Sequence, residues 1–224
     1  MRTTDATSKT RRRPGRPPGA DPRRAERLEH ILDAACRAIL ERGFPATRIS
    51  DLASATGVST GTVHYNFATR DEVLIAALKS ASTRLVARIE ESGDEPPTER
   101  LARLLEVAVP YPGLARDEYV LWLELWLRAL HQPELLPQAE AFSSQWRGLF
   151  LDIVRSGAER GDFAPVAGIE EVTDRLVAHV DGLGFEATLG YRWTSPVRMH
   201  ERLIAFAAEQ LGVPAAELAP RETA

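Results

Sequence analysis

The sequence predicts an all-α protein of about nine helices, with a small N-terminal three-helix domain built on a helix-turn-helix and a larger helical domain after it. Three observations predict it. Apolar residues recur at i, i+3 and i+4 through most of the 224 residues, and no stretch alternates at period two. Proline and glycine punctuate these stretches, at Gly43, Gly57, Pro96-Pro97, Pro110, Pro112-Gly113, Pro133, Gly161, Gly168, Pro196 and Gly212. Charge is divided unevenly: residues 1–70 carry 13 Lys/Arg against 7 Asp/Glu, and residues 71–224 carry 15 against 25, within a net of −4. A basic first third on an acidic remainder is expected where one end meets phosphate and the other does not.

Residues 1–22 read as a disordered basic arm of Thr, Ser, Pro, Gly and Arg with no apolar period. Within it, Arg11 to Pro18 (RRRPGRPP) resembles the core of an AT-hook, an extended element of the narrow minor groove. Prolines keep such a segment extended, so Arg13 and Arg16 can follow groove floor and phosphates. A merely cationic, solubilising tail is the other reading.

Residues 23–42 form the first helix, with Leu28, Ile31, Leu32, Ala35, Ile39 and Leu40 on its buried stripe and Gly43 at its end. Thr47 or Arg48 opens a second, short helix in which Ile49, Leu52 and Ala53 share one face. Gly57 supplies the left-handed turn, Val58 plugs it, and Ser59 caps a third helix. On that helix Val63 and Phe67 point inward, while Thr60, Gly61, Thr62, His64 and Tyr65 lie outward or at its edge. A small, polar outer face is what a helix entering the major groove requires. Three short core helices with no ligand satisfy the same spacing.

Thr69-Arg70-Asp71-Glu72 is a capping box that starts a long helix, running to about residue 91. Ser92 to Pro97 is a loop. Helices follow at 98–109, 114–130, 133–161, 169–192 and 196–212. The domain division expected is 1–22 arm, 23–75 helix-turn-helix domain, 76–214 second domain and 215–224 flexible tail.

Composition excludes several classes. The single cysteine, Cys36, rules out an intrachain disulfide and sits at a core position of the first helix. No apolar run approaches a membrane span, and no hydrophobic segment follows the basic N-terminus, so a cytoplasmic protein with no membrane partner is expected. The five histidines are scattered, and no phosphate loop, nucleophile elbow or metal-ligand spacing appears. No catalytic residue, metal or cofactor is expected; an enzyme using a cavity in the second domain is the remaining alternative.

The run from Asp51 to Leu74, DLASATGVSTGTVHYNFATRDEVL, closely resembles the DNA-binding domain of the TetR family of transcriptional regulators. That resemblance implies a homodimer on a palindromic double-stranded DNA operator, most simply a repressor released by a small-molecule effector. An activator, or a regulator dependent on a co-repressor, is the alternative. By the family's motif Thr60, Thr62 and His64 face bases, and Thr47, Tyr65 and Arg70 touch phosphate, with Arg48 and Ser59 beside them at the helix starts. The chain departs from the motif where His64-Tyr65-Asn66 replaces the common Tyr-His-Tyr and Thr60 replaces Lys. Loss of that lysine removes a guanine-reading donor, so the operator sequence does not carry over from relatives.

The segment Trp122 to Leu135, WLELWLRALHQPEL, resembles the C-terminal domain of the family's BetI-like subgroup. This implies an effector cavity among the middle helices, with Tyr111, Glu118, Trp122, Trp126, Phe142 and Trp146 as candidates; an aromatic core stripe is the alternative. Ring faces and one carboxylate suit an organic cation, with a neutral hydrophobic compound as the rival. In the family the last two helices pair with those of a second subunit. Val177, Val180, Gly184, Leu203 and Phe206 are the dimer candidates, and closure of the monomer core is their other use. The helix from Thr69 is the expected lever, because it touches both domains.

Overall fold

The computed structural model describes residues 22–90 and 95–219, so the arm with Arg13 and Arg16, and residues 92–94 of the loop expected at 92–97, lie outside the described residues. Among the described residues there are nine α-helices and no strand. They are α1 (Pro22–Arg42), α2 (Ile49–Thr56), α3 (Thr60–Asn66), α4 (Arg70–Glu90), α5 (Pro97–Val107), α6 (Leu114–His131), α7 (Leu136–Arg160), α8 (Ile169–Leu189) and α9 (Pro196–Leu211). The all-helical expectation holds.

Local chemistry sets the boundaries. Gly57 takes φ 69° and ends α2, and the Ser59 hydroxyl accepts the Thr62 N–H at 3.0 Å to start α3. At α4 the Thr69 hydroxyl accepts the Glu72 N–H at 3.1 Å. The returning bond differs from the expected box: the Glu72 carboxylate accepts from the Ala68 N–H, at 2.8 Å, one residue earlier. The segment expected at 133–161 opens with a 3-10 turn, Pro133–Leu135, before α7 begins. Helix α8 stops at Leu189 rather than 192 because Gly190 turns left-handed, at φ 73°. Part of the tail expected to be flexible is anchored. Residues Ala215–Glu217 make a 3-10 turn, and Leu218 is fully buried in the core of the second domain.

Three apolar clusters hold the chain together. Ile31, Leu52, Val63, Phe67 and Val73 tie α1 to α4 in the first. Ile39, Phe44, Leu74, Leu78, Leu121 and Leu125 form a second, at the junction of α1, α4 and α6. The third fills the space among α5, α7, α8 and α9 with Leu104, Phe150, Ile153, Val172, Leu203 and Leu211. Each such side chain contributes about 1.5–3 kcal/mol on burial, so the junction is a packed interface. Helix α4 contributes to all three clusters through Val73, Leu74 and Ile89, and the boundary drawn at residue 75 falls inside it. Cys36 lies between the first two clusters, where burial pushes its thiol up to about 11 and keeps it protonated.

Gly157 marks the tightest approach in the third cluster. A Cβ there would stand 2.1 Å from the ring of Phe163, which is itself 4% exposed. Gly157→Ala should therefore expel that ring and cost about 2–3 kcal/mol. The matching fall in Tm is roughly 4–12 °C for a chain of this size. An unchanged melting curve would contradict the packing described.

Candidate DNA-binding face and effector cavity

Helix α3 is held from one side and open on the other. Val63 is fully buried, whereas Thr60, Gly61, His64 and Tyr65 are exposed, Tyr65 to 78%. The Ser59 and Thr62 hydroxyls lie 2.9 Å apart and share the helix cap. Arg48 is exposed at the start of α2, where the Asp51 carboxylate accepts its backbone N–H at 3.0 Å. Six of the candidates, Arg48, Ser59, Thr60, Thr62, His64 and Tyr65, thus lie on α3 or at the two helix starts.

Thr47 and Arg70 serve the fold first. Thr47 is only 4% exposed, and its hydroxyl donates to the Gly43 carbonyl at 3.0 Å, closing the 3-10 turn Phe44–Ala46. A buried hydroxyl spent in this way offers nothing to a phosphate, which corrects the expectation for Thr47. Arg70 is exposed, but its Nη1 donates to the carbonyls of Pro45 (3.0 Å) and Thr47 (3.1 Å). Its guanidinium also lies 5.4 Å from the centroid of the Phe44 ring. Arg70 therefore braces the turn between α1 and α2.

In the second domain α4 to α8 enclose a cavity of about 80 Å³, several times the roughly 10–15 Å³ a single water needs. Glu118, Trp122 and Trp126 line it from α6, Phe142 and Trp146 from α7. Trp122 meets Phe142 edge to face at 5.1 Å, so the aromatic walls brace one another. Tyr111 does not join them. It sits in the turn after α5, its N–H bonded to the Val109 carbonyl at 2.8 Å, and packs against the core of α5, α7, α8 and α9. Among the lining residues beyond the sequence candidates are Tyr119 on α6 and Asp181 on α8. An acid interrupting the apolar run Val177 to Leu183 was the available signal for Asp181. Burial raises its carboxyl to about 6, and burial, with Asp181 next to it, raises the Tyr119 hydroxyl. Among the described residues no Lys, Arg or His lines the cavity.

The outer face of α8 is not the one expected. Val180 and Leu203 are 1% and 2% exposed within a single chain, and both belong to its core. Gly184 is buried where the Tyr119 hydroxyl lies 2.0 Å from a would-be Cβ. These three have no surface to offer a second subunit. Val177 lines the cavity, and Phe206 stacks on His179 at 4.2 Å. The surface of α8 is instead Ala178, Gly182, Phe185 and Leu189. It continues into an aromatic cluster at the α8–α9 turn: Phe185, Tyr191 and Trp193 are 43%, 37% and 49% exposed. Tyr191 stands 6.4 Å from Phe185 and 4.9 Å from Trp193, ring to ring.

Helix α6 reaches both parts of the molecule. Two residues beyond Trp126, Arg128 lies 4.2 Å over the Phe44 ring and pairs with Asp71 of α4 at 2.5 Å. Glu124 accepts the Phe44 N–H at 3.2 Å. A helix that forms a cavity wall therefore also grips the turn leading into the helix-turn-helix.

These features define a helix-turn-helix protein with an aromatic, acidic cavity in its second domain. Residues 31–77 match the bacterial regulatory proteins of the tetR family, and residues 97–212 match the C-terminal domain of BetI-type transcriptional repressors. The chain belongs to the TetR family of bacterial transcriptional regulators. It is 27% identical to the regulator PksA of Bacillus subtilis, over 79% of this chain and 83% of that protein. It is 26% identical to BetI of Rhizobium meliloti, over 73% of this chain and 78% of that one. Among solved structures it resembles a transcriptional regulator from Saccharomonospora viridis in complex with choline. The TM-score there is 0.74 at 32% identity, covering 84% of this chain and 98% of the other. Among the described residues no helix is long and apolar enough to cross a membrane.

Proposed function

We propose that this regulator is a cytoplasmic, dimeric repressor released from a palindromic operator by a small organic cation. The observation that carries the effector class is the cavity: five aromatic side chains and two carboxylates, with no basic group among its described lining. A cation over a ring face gains about 0.5–2 kcal/mol per ring, most when desolvated. A neutral apolar guest would instead leave the desolvated Asp181 carboxylate without compensation. Similarity to a regulator crystallised with choline supports the same class.

On DNA, α3 of each subunit enters a major groove, with Thr60, Thr62 and His64 at base edges and Arg48, Ser59, Tyr65 and Arg70 at or near phosphate. Arg13 and Arg16 of the arm add minor-groove contacts. The division into residues 23–75 and 76–214 gives one part to DNA and the other to effector and dimer. The dimer forms through the outer face of α8 and the aromatic cluster beside α9, which sets the distance between the two copies of α3. Effector binding against α6 moves its grip on Phe44 and Asp71, and so favours a spacing that no longer fits adjacent grooves. It acts only through its differential affinity for the two spacings.

The test is a tryptophan-fluorescence titration with choline against its neutral carbon isostere, 3,3-dimethylbutan-1-ol. Choline should give a saturable change at concentrations at least tenfold lower than the isostere. Equal responses to both would contradict a cation-selective cavity.

A further inference from the structure

Asp181 stands apart from the other polar groups of the cavity. Its carboxylate makes no hydrogen bond or ion pair with any described residue, although burial penalises its charge. Lining the same cavity from other elements are Glu118 and Tyr119 of α6, Ser82 and Val86 of α4, and Gln145 and Trp146 of α7. Tyr119 is a candidate donor, but its proton is spent elsewhere. Gly184 has no Cβ, so the Tyr119 hydroxyl seats directly on α8 and donates to the backbone carbonyls of Asp181 (3.2 Å) and Val180 (3.4 Å). The pocket therefore holds a carboxylate whose hydrogen-bonding capacity is left for a guest. Asp181 is half-buried, and a carboxylate that no described side chain satisfies, set in a cavity wall, is open to a ligand.

A quaternary ammonium group cannot satisfy it, since its charge is spread over methyl groups that suit ring faces. A hydroxyl or amine can, through a short charge-assisted bond. We infer that Asp181 is a specificity-determining residue of the effector site, and that the effector is a cation bearing a second, hydrogen-bond-donating group. A zwitterion carrying a carboxylate in that place is rejected, because it would meet the Asp181 carboxylate, and no Lys, Arg or His stands among the described lining. This rests on the cation reading above and adds which cations are taken.

Linkage gives an independent sign. An empty-cavity value of about 6 means Asp181 is mostly protonated at pH 5, and a cation prefers its ionised form. Affinity should then be full above about pH 7 and fall about tenfold by pH 5.

Three probes that share the trimethylammonium unit separate the outcomes: tetramethylammonium, choline and glycine betaine, titrated by calorimetry into wild type and Asp181→Asn. In wild type, choline should bind at least tenfold more tightly than tetramethylammonium, with betaine weakest. In Asp181→Asn that choline preference should shrink to about threefold or less, betaine should gain, and the fall toward pH 5 should flatten. The amide keeps the side chain's size and removes a buried charge, so the empty variant should melt no lower than wild type at pH 7.5. Asp181→Ser repeats the probe ratios if the amide variant misfolds. A wild type that binds choline and tetramethylammonium, with a ratio that Asp181→Asn or Asp181→Ser leaves intact, overturns the role of Asp181 alone. A wild type blind to both cations removes the cation reading and this inference together.

Discussion

Phe185→Glu should leave each chain folded but monomeric, and lower operator affinity by at least a hundredfold. The ring is 43% exposed on one chain, so a carboxylate there meets water and costs the fold little. In the dimer it would face its own copy and the Tyr191–Trp193 cluster across a two-fold axis, where like charges are buried together. Loss of the dimer converts one bivalent encounter with DNA into two independent ones. It forfeits the millimolar-scale effective concentration of the second helix, which is where the hundredfold arises. Light scattering after gel filtration reads the mass, and fluorescence anisotropy reads the affinity. A dimeric Phe185→Glu protein would remove this face from the interface. Leu203→Glu makes the contrast, since it buries a charge in the core of a single chain and should prevent folding.

Arg128→Ala should separate effector binding from DNA release. The cavity wall at Trp122 and Trp126 is untouched, so choline affinity should stay within about threefold of wild type. What is lost is the part of α6's grip that Arg128 makes, on the Phe44 ring and Asp71, while the Glu124 bond to the Phe44 N–H remains. Coupling between sites in allosteric proteins is typically about 1–3 kcal/mol, a 5- to 150-fold change in affinity. The variant should show less than about threefold loss of operator affinity on choline addition. Asp71 is left without its cation while 28% exposed, so a stability cost of about 2 kcal/mol is expected, below the roughly 3–5 kcal/mol of a fully buried pair. Arg128→Ala combined with Asp71→Asn should recover much of that cost without restoring coupling. Full release by choline in the single variant would place the coupling elsewhere, in α4 alone.

Sequence reading succeeded where the deciding interactions are local. Gly57, Ser59 and the Thr69–Glu72 cap lie within a few residues of the bonds they make, so α2, α3 and α4 could be drawn from order alone. The aromatic walls were legible too, because Trp122 and Trp126 fall one turn apart and the resemblance indicated a cavity. What failed depended on contacts distant in sequence. Helix α8 is apolar on two sides, and periodicity cannot tell which stripe turns inward. Contact with Tyr119 settles it, burying Val180 and Gly184 and leaving Gly182 and Phe185 outside. Thr47 matched a phosphate-touching position, yet its hydroxyl is consumed by the Gly43 carbonyl in a turn that the sequence did not reveal. Tyr111 was grouped with the cavity by proximity along the chain, but the turn after α5 directs it to the core. Helix α4 was the expected link between the domains, and α6 also contacts both, through Arg128 and Glu124, whose partners Phe44 and Asp71 are more than 50 residues away in sequence.

The central claim is that a small organic cation releases this protein from a specific operator. The most direct measurement is an anisotropy titration of the full chain onto labelled DNA from upstream of its own coding sequence, with and without millimolar choline, against random DNA as competitor. Two chains per site should bind saturably at about nanomolar protein, resistant to random DNA, with an affinity that choline weakens at least fivefold. Specific binding indifferent to choline and to the other small cations would contradict it.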